Sequence, residues 1–274
     1  VYTQVINASL FNTAIPAMII FLCFILKIEK TNKFQILGLV ISVLGILSII
    51  TKLDIDNLLT LNFNKGDLIM IGGVITWGLY SSFLKKKDFT LPLLTLVHVL
   101  CSLGLIFILP QYLYELSQGL VLELNMNLGY TLVFLALTSV GLFNSFTYLS
   151  LVYTQVINAS LFNTAIPAMI IFLCFILKIE KTNKFQILGL ILSVFGILSI
   201  ITKLDFNILL LLNFNKGDVI MLGGVISWGL YSSFLKKKKF DLPLLTLVQV
   251  LCTLGLVFVF PQFLYELSQG LAIK

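Results

Sequence analysis

Long apolar runs, separated by short polar stretches that carry lysines, set the pattern of this chain. From Leu124 to Leu177 there is no charged residue at all. One bilayer span needs only ~20 apolar residues, so that run holds two spans and a turn. Along the whole chain the pattern predicts an all-α, polytopic membrane protein of about nine transmembrane helices. They cover Asn7–Leu26, Phe34–Ile50, Asp67–Leu84, Leu91–Leu116, Leu128–Leu151, Asn158–Leu177, Phe185–Ile201, Asp218–Leu235 and Leu242–Leu267.

The order of these helices repeats. Val1-Tyr2-Thr3-Gln4-Val5-Ile6-Asn7 returns from Val152, a period of 151 residues. The two copies are identical through Leu39 and its counterpart Leu190, and about 21 positions differ over the remainder. Each period holds five helices. An odd number makes successive copies enter the membrane in opposite directions, the inverted-repeat plan of many secondary transporters. The chain then divides into the last two helices of one unit (1–53), a complete five-helix unit (65–204) and the first two helices of a further unit (216–274). In the other copy the counterpart of Val1–Thr3 comes directly after a helix ending at Leu151, so the chain reads as a window from a longer polypeptide.

Composition agrees with the membrane reading. Hydrophobic residues make up 59% and charged residues 11%, and mean hydropathy is +1.06. A water-soluble domain is nearer a quarter charged. The net charge of +6 does not indicate a nucleic-acid partner, because all 18 basic residues are lysines at the ends of apolar runs. There they snorkel to the bilayer interface. Threading the nine helices places nine lysines on each side, so the positive-inside rule gives no orientation. Cys23, Cys101, Cys174 and Cys252 all lie inside apolar runs and read as small hydrophobes. No phosphate-binding glycine loop, metal-ligand spacing or nucleophile–base pair is visible. Neither an enzyme nor a cofactor or metal is expected.

One set of residues resembles a known family. Gly66-Asp67, Trp77-Gly78-Leu79-Tyr80, a lysine cluster and Leu91-Pro92 come first. Tyr153-Thr154, Asn158-Ala159-Ser160-Leu161, Pro167, Lys178-Ile179-Glu180, Gln186, Gly189 and Gly196-Ile197-Leu198 come after them in order. This succession resembles the five-helix domain of EamA-type transporters in the drug/metabolite transporter superfamily. Members usually carry two diverged domains, ten helices in total. The resemblance implies a multi-pass protein of the cytoplasmic membrane, moving a small metabolite such as an amino acid by alternating access. It also implies that the first, third and fourth helices of each unit line a central cavity. The partners are then a small-molecule substrate and the lipid bilayer, and a homodimer is compatible with this reading. A non-transporting membrane scaffold and an inactive fragment of a ten-helix transporter are the alternatives.

Uncharged polar residues supply the candidate cavity. Asn144, Ser145, Thr147 and Tyr148 fall within one and a half turns of a helix. Asn158, Ser160, Asn163 and Thr164 lead up to Pro167, where a kink would free a backbone carbonyl. Trp77, Tyr80 and Ser81 add aromatic walls, and the set suits an amphiphilic or zwitterionic solute. The same residue types also join membrane helices by hydrogen bonds, and Trp and Tyr line interfacial belts. His98, the only histidine, is a candidate for proton coupling, although the other copy has Gln249 there. Glu115 and Glu266 are expected to be hydrated at the interface. Gly72, Gly73, Gly78 and the Gly38–Ser42 pair are expected to bring helices close.

Overall fold

In hydrocarbon no water pairs with backbone N–H and C=O groups, so an apolar run satisfies them within its own helix. The computed structural model describes residues 14–28, 65–86, 91–119, 125–154, 159, 162–179, 215–238 and 243–270. Every regular element among them is helical. In chain order they are α1 (Ile15–Ile25), α2 (Lys65–Lys86), α3 (Leu93–Ser117), α4 (Met126–Ala136), α5 (Asn144–Ser150), α6 (Ile166–Ile176), α7 (Lys216–Lys237) and α8 (Leu244–Ser268). A π-helical segment, Leu137–Phe143, joins α4 to α5 without a break. Four helices are long and apolar enough to cross a membrane: α3, the continuous Met126–Ser150, α7 and α8. The predicted spans Phe34–Ile50 and Phe185–Ile201 lie outside the described residues.

The chain forms two compact units. The first comprises 1–89, 155–171 and 182–212, and the second 90–154, 172–181 and 213–274. In the first, α1 packs on α2 through Ile15, Ile19, Cys23 and Val74, all buried. Gly78 permits the approach, since a methyl group there would stand 2.6 Å from Met18 Cγ. The Cys23 thiol lies 3.8 Å from Ser82 Oγ. Within the second unit the repeat-related pair, Cys174 and Ser233, is 3.7 Å apart. One sequence therefore makes the same helix-on-helix contact twice. The helix ends match as well. Lys27 and Lys178 both adopt positive φ (53° and 52°). The N–H groups of the next residues, Ile28 and Ile179, donate to Cys23 O and Cys174 O, closing each helix with a left-handed cap.

The second unit is organised around α3 and α8. Each begins after a proline, Pro92 or Pro243, that offers no side-chain cap. The first-turn N–H groups, which have no partner within their own helix, go instead to a carboxylate on the other helix. Glu266 near the end of α8 accepts from Leu94 N (3.2 Å), Thr95 N (2.7 Å) and Thr95 Oγ1 (2.9 Å). Glu115 near the end of α3 accepts from Leu245 N (3.1 Å), Thr246 N (2.6 Å) and Thr246 Oγ1 (2.9 Å). Only antiparallel helices can cap each other at both ends. Glu115 and Glu266, both partly exposed, thus act as structural caps, a role beyond the interfacial position expected of them. Their negative charge also meets the positive end of a helix dipole.

The π-helical segment is the second departure from expectation, since a regular helix was predicted over Leu128–Leu151. A π turn misaligns the carbonyls that an α-helix would pair. Side chains take them up: Thr138 donates to Phe134 O (2.8 Å), Ser139 to Leu135 O (2.6 Å), Asn144 Nδ2 to Val140 O (2.9 Å) and Ser145 to Gly141 O (2.5 Å). The segment also forms the seat of α8. A methyl group at Gly255 would run into Val140, and one at Gly141 would stand 3.0 Å from Phe258. Leu132, Leu135, Ala136, Leu247 and Leu251 complete this core. At Pro167 the expected break takes the form of a single 3-10 turn, Asn163–Ala165, with α6 restarting at Ile166. Proline as the second residue of a helix forfeits no intrahelical bond.

The caps and the glycine contact are each open to test. Glu115→Ala or Glu266→Ala leaves two first-turn N–H groups unpaired and should lower unfolding free energy in micelles by about 1–3 kcal/mol. Glutamine at either position should recover part of the loss; unchanged stability in both alanine variants would remove the caps from the account. Gly255→Ala should cost about 1–3 kcal/mol by overpacking against Val140. The same change at its repeat counterpart Gly104, with nothing within 4 Å, should be neutral or slightly stabilising.

Candidate functional site

The sequence-predicted residues fall into separate groups. On the α4–α5 helix, Asn144, Thr147 and Tyr148 sit just beyond the π-helical segment, within α5. Asn144 spends its amide on the Val140 carbonyl. Tyr148 is buried, and the buried Thr147 Oγ1 has no hydrogen-bond partner among the described residues. This helix faces α7, whose glycines admit it: a methyl group at Gly223 would stand 3.2 Å from the Phe146 ring. Phe143 meets Trp228 at 4.7 Å between centroids, and Trp228 meets Tyr231 at 5.1 Å. Polar groups and aromatic faces therefore do come together here.

In the first unit, Trp77 and Tyr80 of α2 meet edge to face at 5.5 Å. Ser81 is buried beside them in sequence. Asn163 is buried with an unpartnered Oδ1 among the described residues. Thr164 belongs to the 3-10 turn and Pro167 is buried at the start of α6. Asn158 lies outside the described residues.

The second unit also contains a cleft of about 800 Å³ between α3, α4 and α8. Tyr112, Met126, Tyr130, Val133, Gln249 and Thr253 are among its walls. It is mostly apolar. Its one unsatisfied group is Gln249 Oε1, which is buried without a partner among the described residues. The volume falls within the usual range for small-molecule sites. Sequence reasoning placed none of these wall residues in a candidate cavity.

The signal was nonetheless present, in the differences between the two copies. Gln249 replaces His98 and Phe263 replaces Tyr112 at equivalent positions. The His98 ring stacks on Phe263 (4.9 Å, 12°) and lies 5.6 Å from Phe260. The imidazole is thereby packed between aromatic rings of α8, whereas Gln249, its counterpart, faces a cleft. Two of the six substitutions between α3 and α8 accompany a filled site in one place and an open one in the other. Among the described residues no cluster of His, Cys, Asp and Glu is placed to hold a metal ion.

Comparison with known proteins agrees with this architecture. The model of the EamA-like transporter family matches residues 64–202, about half the chain. The uncharacterized transporter YyaM of Bacillus subtilis (strain 168) is 24% identical over 200 residues. That alignment covers 72% of this chain and 65% of the relative, so the chain spans somewhat less than two thirds of that protein's length. No solved structure matches the chain. The family match begins just before α2 and takes in α3, the π-containing helix and α6 in order. This multi-pass, all-helical chain belongs to the EamA-like transporter family.

Proposed function

We propose that the chain moves a small, largely apolar or amphiphilic metabolite across the cytoplasmic membrane by alternating access. The observation that carries this reading is family membership over residues 64–202. The reciprocal caps on α3 and α8 support the inverted relation of the units, because equivalent helices of the two copies run antiparallel. Rocking of one inverted unit against the other about a mid-membrane site is the motion such a plan permits.

Solute contacts are assigned to two sets of residues. The first set is polar and aromatic and is assigned unit by unit: Trp77, Tyr80, Ser81, Asn158, Asn163, Thr164 and Pro167 in the first unit, and Asn144, Thr147 and Tyr148 in the second. The Gln249 cleft is a second contact point. Its apolar walls suit a hydrocarbon portion, and the unpaired carbonyl of Gln249 suits an N–H or O–H donor on the solute. Proton coupling through His98 is the alternative role for that residue within this proposal, and its aromatic surroundings favour packing.

The test is flux from liposomes containing the full chain, screened with labelled amino acids and amphiphilic metabolites, with and without a pH gradient. Saturable, selective efflux is expected. Its absence from a folded preparation would sink the proposal and leave the scaffold and inactive-fragment readings. Gln249→Leu should raise the half-saturating concentration of a donor-bearing solute by about tenfold, the worth of roughly one buried hydrogen bond. A solute lacking the donor should be unaffected. His98→Gln, which copies the second repeat, should preserve both flux and its response to pH. Loss of the pH response alone would assign coupling to the imidazole.

A further inference from the structure

A buried hydrogen-bonding side chain normally has a partner, and one that lacks it calls for a reason. On the helices of the second unit several such groups are satisfied by their own backbone. Ser102 donates to His98 O, Asn144 to Val140 O and Ser145 to Gly141 O. Their neighbours His98 Nδ1, Thr147 Oγ1 and Gln262 Oε1 are each buried with no partner among the described residues. They belong to three different helices, α3, α5 and α8.

Helix register brings them to one depth. α8 and Met126–Ser150 run side by side in the same direction. Leu247 and Leu251 share a core with Leu132 and Leu135, and Gly255 and Phe258 meet Val140 and Gly141. One turn beyond that last contact come Gln262 on α8 and the turn of α5 that holds Asn144, Thr147 and Tyr148. α3 runs the opposite way, its register fixed by Glu266 on Thr95. His98 stacks on Phe263, the residue next to Gln262. α5 packs on α3 and also on α7, where a methyl group at Gly224 would stand 3.7 Å from Thr147 Oγ1. One layer of the second unit thus holds all three unpaired groups.

Gln262 is the member that its sequence context did not single out. Its Nε2 turns back to Phe258 O (3.4 Å). That bond tells the two ends of the amide apart and leaves Oε1 as the free acceptor. A neutral imidazole nitrogen, a hydroxyl and a carboxamide oxygen can all accept a hydrogen bond. Glu266, one turn further along α8, already accepts three bonds from α3. An ammonium in this layer would therefore be a buried charge with no counter-ion to spare. We propose that the layer binds an uncharged N–H or O–H donor group such as a primary amide, with Gln262 as a specificity-determining contact, which rests on the transport reading and names the group its solute presents.

The probe is para-benzoylbenzamide, a photoreactive primary amide, added to the full chain in lipid vesicles. Its N,N-dimethyl amide, which has no N–H, and para-benzoylbenzylammonium, which is charged, are the comparisons. After illumination, mass spectrometry should find the amide on α3, α5 or α8 within this layer, at about ten times the yield of either analogue, the worth of one hydrogen bond. Gln262→Leu and Thr147→Val should each lower amide labelling by roughly tenfold and leave the dimethyl amide unaffected. Gln111→Leu, the same change at the exposed counterpart on α3, should have no effect. Because Gln262→Leu removes a buried unpaired oxygen, its melting temperature should hold or rise; a fall would make Gln262 a packing residue and overturn the proposal. Equal labelling by the amide and its dimethyl analogue, or amide labelling indifferent to Gln262→Leu, would overturn it too. Flux is read on the same preparations. Labelling that needs Gln262 without any flux would keep the layer and remove transport, and selective flux indifferent to both variants would do the reverse.

Discussion

Within a bilayer an unpaired backbone N–H has no water to turn to, and the first turn of every helix has several. The α3–α8 pair is built on that constraint. Proline at each entry removes the ordinary side-chain cap, and the vacancy is filled by a glutamate two residues from the end of the opposite helix. Because each helix completes the other, the two are held antiparallel and in register at both ends. The core of the second unit is arranged against that pair. Gly255 of α8 sits on Val140, within the π-helical segment.

The π-helical segment ties structure to candidate chemistry. Four side-chain donors stabilise its misaligned carbonyls, and three of them, Thr138, Ser139 and Ser145, are buried. Polar residues that suggest a solute path are thus partly committed to their own backbone. Thr147 and Gln249 are different: each keeps a buried oxygen with no partner among the described residues. Such groups are costly in a low-dielectric interior, and a passing solute with a donor would relieve them. That distinction separates residues that shape the helix from those able to meet a ligand.

Near-identity of the copies makes this chain an internal experiment on environment. Gly104 and Gly255, Gly72 and Gly223, and His98 and Gln249 occupy equivalent places, yet one member of each pair is in the open or stacked and the other is packed or facing a cleft. In each case the neighbours contributed by other helices decide the outcome. Local sequence alone would have assigned both members the same role.

Much was legible before any coordinates. Apolar runs longer than a soluble core needs, with lysines at their ends, establish the membrane setting and the helical class, because hydrocarbon tolerates no other open-ended backbone. The succession of Trp77, Tyr80, Pro92, Asn158 and Pro167 marked the family. The locations of Asn144, Thr147 and Tyr148 on one helix were legible too, since helical spacing is a local property. The capping by Glu115 and Glu266, the π-helical segment and the cleft beside Gln249 were not. Each depends on atoms contributed from 100 or more residues away in sequence or on the register in which two helices meet. Side-chain periodicity states which face of a helix is apolar and leaves open which helix will cover it. Only the packed structure decided that the Met126–Ser150 helix would cover α7 along its glycine stripe.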